Sequence, residues 1–130
     1  KFKELHEAGK DSEIPYEAME LTTVVAEAIR MVELENGPEA FKMNITCIKL
    51  GSVGFVTLPG EAFNTVGTEL KKTKGYDLVM PCILTNGDEG YFPTEDSYDE
   101  GGYEARSSRY KKGCAEYLVS QGKEILSSLL

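Results

Sequence analysis

The chain has 130 residues, 41% of them hydrophobic and 28% charged, an ordinary composition for one globular domain with a buried core. Lys and Arg total 14 against 22 Asp and Glu, a formal charge of −8, which argues against nucleic acid as the main partner, since phosphates call for clustered basic groups. No apolar run approaches the length of a transmembrane segment, and Cys47, Cys82 and Cys114 lie far apart without a CxxC pair, which favours reduced thiols over a disulfide framework. The two basic clusters, Lys71-Lys72-Thr73-Lys74 and Arg109-Tyr110-Lys111-Lys112, read as solvated helix ends. The chain opens at Lys1 without Met, as a fragment or a trimmed chain would, so the lack of a targeting segment says nothing about a parent protein.

Residues 1–14 are strongly charged and are expected to be loosely ordered. They hold the only histidine, His6, which reads as a surface residue because zinc needs three or four convergent ligands. Pro15 suits a first helical turn, and Ala18, Leu21, Val25, Ala28, Ile29 and Val32 recur at helical spacing to about Glu35. Asn36-Gly37-Pro38 supplies a stop.

Phe41, Met43, Ile45 and Cys47 alternate with polar residues, as a half-buried strand over 43–50 would. The alternation changes phase at Ile48 and Leu50, which points to a bulge or twist. Gly51-Ser52 is the right length for a hairpin turn into a strand over 53–58. Pro59 ends that strand, and Gly60 permits backbone geometry that other residues resist. Glu61 follows at the expected mouth of a helix over 62–73. Local sequence leaves it two roles: capping that helix and complementing its dipole, or projecting a carboxylate where open sheets bind ligands.

A third strand is expected over 77–84, interrupted by Pro81, which suggests an edge position or a local irregularity. The glycine-punctuated stretch from Asn86 to Pro93 reads as a loop carrying Tyr91. Thr94 has the position of an N-cap before the acids Glu95 and Asp96, with a short helix to about Glu100. Residues 101–106 read as a turn and a short extended piece, and a last amphipathic helix spans about 113–128. The order of elements specifies an α/β or α+β fold: one domain over 1–130, a mixed sheet flanked by helices.

Taken together, Leu58-Pro59-Gly60-Glu61, the Asn86-to-Tyr91 spacing, Gly90-Tyr91-Phe92-Pro93-Thr94, Tyr98 and the Tyr103-Glu104 pair resemble a known family. They are similar to the C-terminal part of the catalytic domain of the neutral/alkaline non-lysosomal ceramidases, in particular its shorter bacterial relatives. The resemblance covers residues 40–130 and, more weakly, the helix at 15–35.

The resemblance implies a zinc-dependent amidohydrolase that cleaves an N-acyl amide, with ceramide or a smaller N-acyl compound as substrate. It implies that Glu61 and Tyr91 are metal ligands and that Tyr103 lines the same pocket, able to hydrogen-bond the scissile amide. The family's two histidine ligands and its serine would come from an N-terminal remainder of the same catalytic domain, and His6 falls in neither histidine motif. Zinc is therefore expected in the intact parent, and neither tightly held metal nor activity in this chain alone. A different class also accounts for the chain: a self-standing ligand-binding or subunit-interaction domain that has the fold without the chemistry.

Overall fold

The computed structural model describes all residues from Lys1 to Leu130. Where the length reads as one domain, the chain divides into two compact units, Lys1–Phe41 and Lys42–Leu130. In the first unit, helix α1 (Phe2–Glu7) and a 3-10 turn (Asp11–Glu13) occupy the stretch expected to be loosely ordered. His6 Nδ1 lies 2.9 Å from Asp11 Oδ1, joining the two pieces, and Phe2 meets Tyr16 edge to face at 6.1 Å.

Helix α2 (Ala18–Glu35) packs against α1 and begins three residues after the proline expected to start it. The reason is local. Tyr16 donates its N–H across Pro15 to the Ile14 carbonyl at 2.8 Å, so the proline sits in a tight three-residue turn, and Glu17 is still extended. The expected stop is present: the Asn36 side chain donates back to the Val32 carbonyl at 2.8 Å, and Gly37 N–H to that of Leu34.

The second unit is a mixed sheet flanked by helices, of the α/β or α+β class. Strands β1 (Cys47–Leu50) and β2 (Val53–Thr57) form the expected hairpin over Gly51-Ser52. A two-residue strand β3 (Glu61–Ala62) and helix α3 (Asn64–Leu70) lead to β4 (Leu78–Cys82), which pairs with β2 in parallel. The strand order β1-β2-β4 puts β4 at an edge, where Pro81 has no donor to lose. Strand β5 (Tyr91–Phe92) pairs with β3 in parallel as a second, two-stranded sheet. Helices α4 (Glu95–Glu100), α5 (Tyr103–Ser107) and α6 (Cys114–Ser128) complete the unit.

Several expectations need correction. The strand expected over 43–50 is paired only from Cys47, although Met43 and Ile45 still pack against the core as extended chain. No bulge interrupts β1, which keeps an unbroken register from Cys47↔Val56 to Leu50↔Val53. The change of phase has another source: this sheet is apolar on both faces. Residues 103–106 are helical and not extended, because Gly102 serves as the N-cap of α5 and Arg106 N–H bonds back to the Gly102 carbonyl.

One sheet face carries the core. Val56 and Val79 pack there with Val66 and Leu70 of α3 and with Ala115, Leu118 and Leu126 of α6. Helix α6 lies close against this layer at Gly122, where a Cβ would come within 2.8 Å of Leu70 and 3.2 Å of Val56. The Tyr76 hydroxyl donates to the Leu126 carbonyl at 2.6 Å and ties down the far end of α6. The other face shows two apolar rows, Ile48-Phe55-Met80 and Leu50-Val53-Leu78, placed side by side by the strand register. Ile48 is 56% exposed and Leu50 70% exposed. The three cysteines are free and partly buried, and burial pushes the Cys47 and Cys114 thiols up from their ordinary range. No helix is long and apolar enough to cross a membrane.

The two faces should answer differently to truncation. Leu126→Ala empties a fully buried position and should cost about 2–5 kcal/mol. Leu50→Ala on the open face should stay within about 0.5 kcal/mol. Urea unfolding of the two variants checks this: equal losses would mean that the Leu50 face is covered after all.

Candidate functional site

After β2 the chain runs through Leu58 and Pro59, both fully buried, and is then stitched to the loop that follows β4. Leu58 N–H donates to the Cys82 carbonyl at 2.8 Å, and Thr85 N–H returns to the Leu58 carbonyl at 3.1 Å. Glu89 N–H reaches the Pro59 carbonyl at 2.7 Å, and Leu84 N–H that of Gly60 at 3.2 Å. At Gly60 the two segments cross so closely that a Cβ would lie 2.4 Å from the Gly90 carbonyl oxygen and 2.7 Å from the Phe92 ring. Only glycine fits the crossing.

Past it, Glu61 N–H donates to the Gly90 carbonyl at 2.8 Å, and the register pairs Glu61 with Tyr91 and Ala62 with Phe92. Glu61 therefore does not open a helix, and Tyr91 does not lie in a loop. Both are on strands, because the backbone groups around Gly60 and Gly90 satisfy each other first. α3 starts only at Asn64.

Paired residues on neighbouring strands project to the same face. Ala62 and Phe92 go inward, where Phe92 is fully buried against Tyr110 with ring centroids 5.1 Å apart. Glu61 and Tyr91 go to the other side. Tyr103, in the first turn of α5, meets Tyr91 edge to face at 6.0 Å. The three residues singled out from the sequence, Glu61, Tyr91 and Tyr103, are thus brought into one cluster. Tyr103 is 59% exposed, so the cluster opens to solvent.

The cluster is electronegative. The Glu61 carboxylate beside it is the main reason the Tyr91 phenol sits above its ordinary range, with partial burial, Tyr103, Glu104 and Asp88 adding to the effect. Tyr91 by itself is a neutral phenol at neutral pH. The same field that resists a phenolate attracts a cation, and a bound cation would reverse the shift. Glu61 offers a carboxylate oxygen, an ordinary zinc donor, and Tyr91 offers a phenol oxygen on the same face. Nowhere does the chain gather three or more His, Cys, Asp or Glu side chains that could hold a metal ion.

Behind the cluster lies a polar knot that sequence reading missed. Ser108 Oγ, nearly buried, donates to the Tyr91 carbonyl at 3.0 Å and receives the Tyr98 hydroxyl at 2.9 Å and Tyr110 N–H at 3.2 Å. Tyr98 also reaches the Tyr110 carbonyl at 2.7 Å. Burial raises the Tyr98 phenol, and burial first, then Glu89, pushes Tyr110 up to about 12. A serine in Ser107-Ser108-Arg109 carries no local signal of such a role. Thr94 does take the N-cap position of α4, but its hydroxyl bonds the side chains of Asp96 and Ser97 and no backbone N–H. A separate cavity of about 240 Å³ between α3 and α6, lined in part by Thr65, Glu69 and Glu116, includes none of the three clustered residues.

Compared with protein families, curated proteins and solved structures, the chain has no match.

Two outcomes follow from the geometry. Gly60→Ala should destabilise the chain by about 1–3 kcal/mol or more, the usual range for overpacking, because its new methyl meets backbone as well as ring. Denaturant unfolding checks this, and wild-type stability would refute the close crossing. Glu61→Gln removes the main charge facing Tyr91, so the Tyr91 phenol should titrate at lower pH, closer to 10. Tyrosine-resolved NMR titration reads this directly, and an unmoved curve would mean the two side chains do not face each other.

Proposed function

We propose that this chain is the C-terminal part of the catalytic domain of a zinc-dependent amidohydrolase of the neutral ceramidase type, acting on ceramide or a smaller N-acyl amide. The observation that carries this reading is the pairing of Glu61 with Tyr91 on adjacent parallel strands, with Tyr103 packed against Tyr91. Residues 30 positions apart in sequence meet as an acid and a phenol on one face. In this reading Glu61 and Tyr91 supply two oxygen ligands, and histidines from an N-terminal remainder of the same domain complete the set. Zinc, when bound, polarises the acyl carbonyl or a water molecule as a Lewis acid.

What the chain's own residues contribute is defined by their surroundings. Glu61 brings a negative charge fixed by the strand pairing at Gly60, which favours a metal without side-chain reorganisation. Tyr91 is held as a neutral donor until a cation arrives. Tyr103, on α5 and open to solvent, is in this reading the residue whose hydroxyl would hydrogen-bond the substrate amide. These three roles need the partner segment, and the isolated chain is inactive in this reading.

The alternative reading is a non-catalytic ligand-binding or subunit-interaction domain. The bare apolar face with Ile48, Leu50, Leu78 and Met80 favours it, since monomers seldom leave a contiguous patch of this kind in water. The two are separated in the full-length parent. Glu61→Gln removes the anionic ligand at constant shape, and Tyr91→Phe removes only the phenol oxygen. Each should lower amidase activity at least ~100-fold and weaken zinc retention, with thermal unfolding nearly unchanged. Full activity in either variant, or no amidase activity in the parent itself, would leave the interaction domain as the better account.

A further inference from the structure

The strand that carries Tyr91 is only two residues long and has two edges. Along one edge, the Gly90 and Phe92 carbonyls accept the N–H groups of Glu61 and Phe63, at 2.8 and 3.5 Å. The Tyr91 carbonyl, between them, points to the opposite edge, where no further strand lies. Its partner there is Ser108 Oγ at 3.0 Å. An unpaired carbonyl at this nearly enclosed position would carry a desolvation cost, so the hydroxyl answers a specific need.

Ser108 does more than close that edge. It is the C-cap of α5, and its own N–H donates to the Glu104 carbonyl at 2.8 Å. α5 carries Tyr103 in its first turn, so the same residue touches the backbone of Tyr91 and terminates the helix that holds Tyr103. On its third side is Tyr98, from α4. Two hydroxyl protons serve three contacts here: that of Ser108 goes to Tyr91, and that of Tyr98 is shared between Ser108 Oγ at 2.9 Å and the Tyr110 carbonyl at 2.7 Å. Ser108 has no spare bonding capacity, since it donates once and accepts twice. It is 7% exposed.

We propose that Ser108, oriented by Tyr98, is a positioning residue that fixes Tyr91 between Glu61 and Tyr103. This rests on the reading of those three residues as one site. Ser108 acts through the backbone of β5, holding the strand from its free edge while Glu61 holds it from the paired edge. Without the hydroxyl, β5 is secured on one side only, and the Tyr91 ring can drift from both neighbours.

The test uses the whole 130-residue chain and needs neither metal nor substrate, so it stands or fails separately from the amidohydrolase reading. Ser108→Ala removes the clamp, and Tyr98→Phe removes only the hydroxyl that orients it. Two quantities are read by NMR: the contact between the Tyr91 and Tyr103 rings, as cross-relaxation between their protons, and the hydrogen exchange of the Glu61 amide. In Ser108→Ala the Glu61 amide should exchange about tenfold faster, the weight of one hydrogen bond, while the Val56 amide in the central strand stays as in wild type. The Tyr91–Tyr103 cross-relaxation should weaken as the Tyr91 ring drifts from its neighbours. Tyr98→Phe should change both in the same direction and by less. Wild-type exchange at Glu61 in Ser108→Ala would overturn the proposal. So would an equal acceleration at Glu61 and Val56, because that reports general loosening of the fold. If Ser108→Ala does not fold, Tyr98→Phe decides: wild-type Glu61 exchange together with an unchanged Tyr91–Tyr103 ring contact in that variant overturns the proposal as well.

Discussion

The contact on which the rest of this structure depends is a crossing of two backbones, Gly60 under Gly90. A methyl group at Gly60 would sit 2.4 Å from the Gly90 oxygen, closer than any packing allows. Because the crossing is that close, Glu61 N–H reaches the Gly90 carbonyl, and the next residues are committed to a parallel register. That register decides which side chains share a face. Phe92 goes into the core with Tyr110, while Tyr91 goes out beside Glu61. A slip of β5 by one residue would exchange the two, turning the Tyr91 phenol inward and Phe92 out to water. The glycine thus selects between a packed core with an outward acid–phenol pair and an arrangement that cannot be stable.

Electrostatics at the cluster follow from the same register. Acids from three separate segments, Glu61, Asp88 and Glu104, bear on one phenol, and no basic group is among the causes of its shift. Elsewhere on the surface acids are paired off: Lys72 and Lys123 hold Glu69 below the ordinary carboxylate range, and Lys112 bonds Asp99 at 2.6 Å. The excess negative charge of the chain is therefore uneven in its effect, spent on ion pairs in some places and left acting on Tyr91 in another.

Periodicity in the sequence located the regular elements well. The β1–β2 hairpin, α3, β4 as an edge strand and α6 all lie where alternation and helical spacing place them, because each buries one face against a common core. What was illegible depends on contacts distant in sequence. β3 and β5 are two residues each, too short for any period, and exist only because they pair with each other. α5 carries Gly102 at its start and Tyr103 exposed, so its local pattern resembles a turn. The candidate site was visible as residues and invisible as geometry: Glu61, Tyr91 and Tyr103 could be named, but the strands that bring them together could not. Ser108 could not be named either, since its hydroxyl serves a carbonyl 17 residues away.

The parallel pairing of β3 with β5 also sets an order of assembly. The β1–β2 hairpin closes over two residues and can form within roughly 1–10 μs. The β3–β5 pair must wait for a far larger loop, which contains α3 and β4, to be organised, and it gains only two residue pairs when it closes. Loop entropy thus puts closure of the β3–β5 pair after that of the hairpin, and Phe92, fully buried, takes its place in the core only when that pair closes.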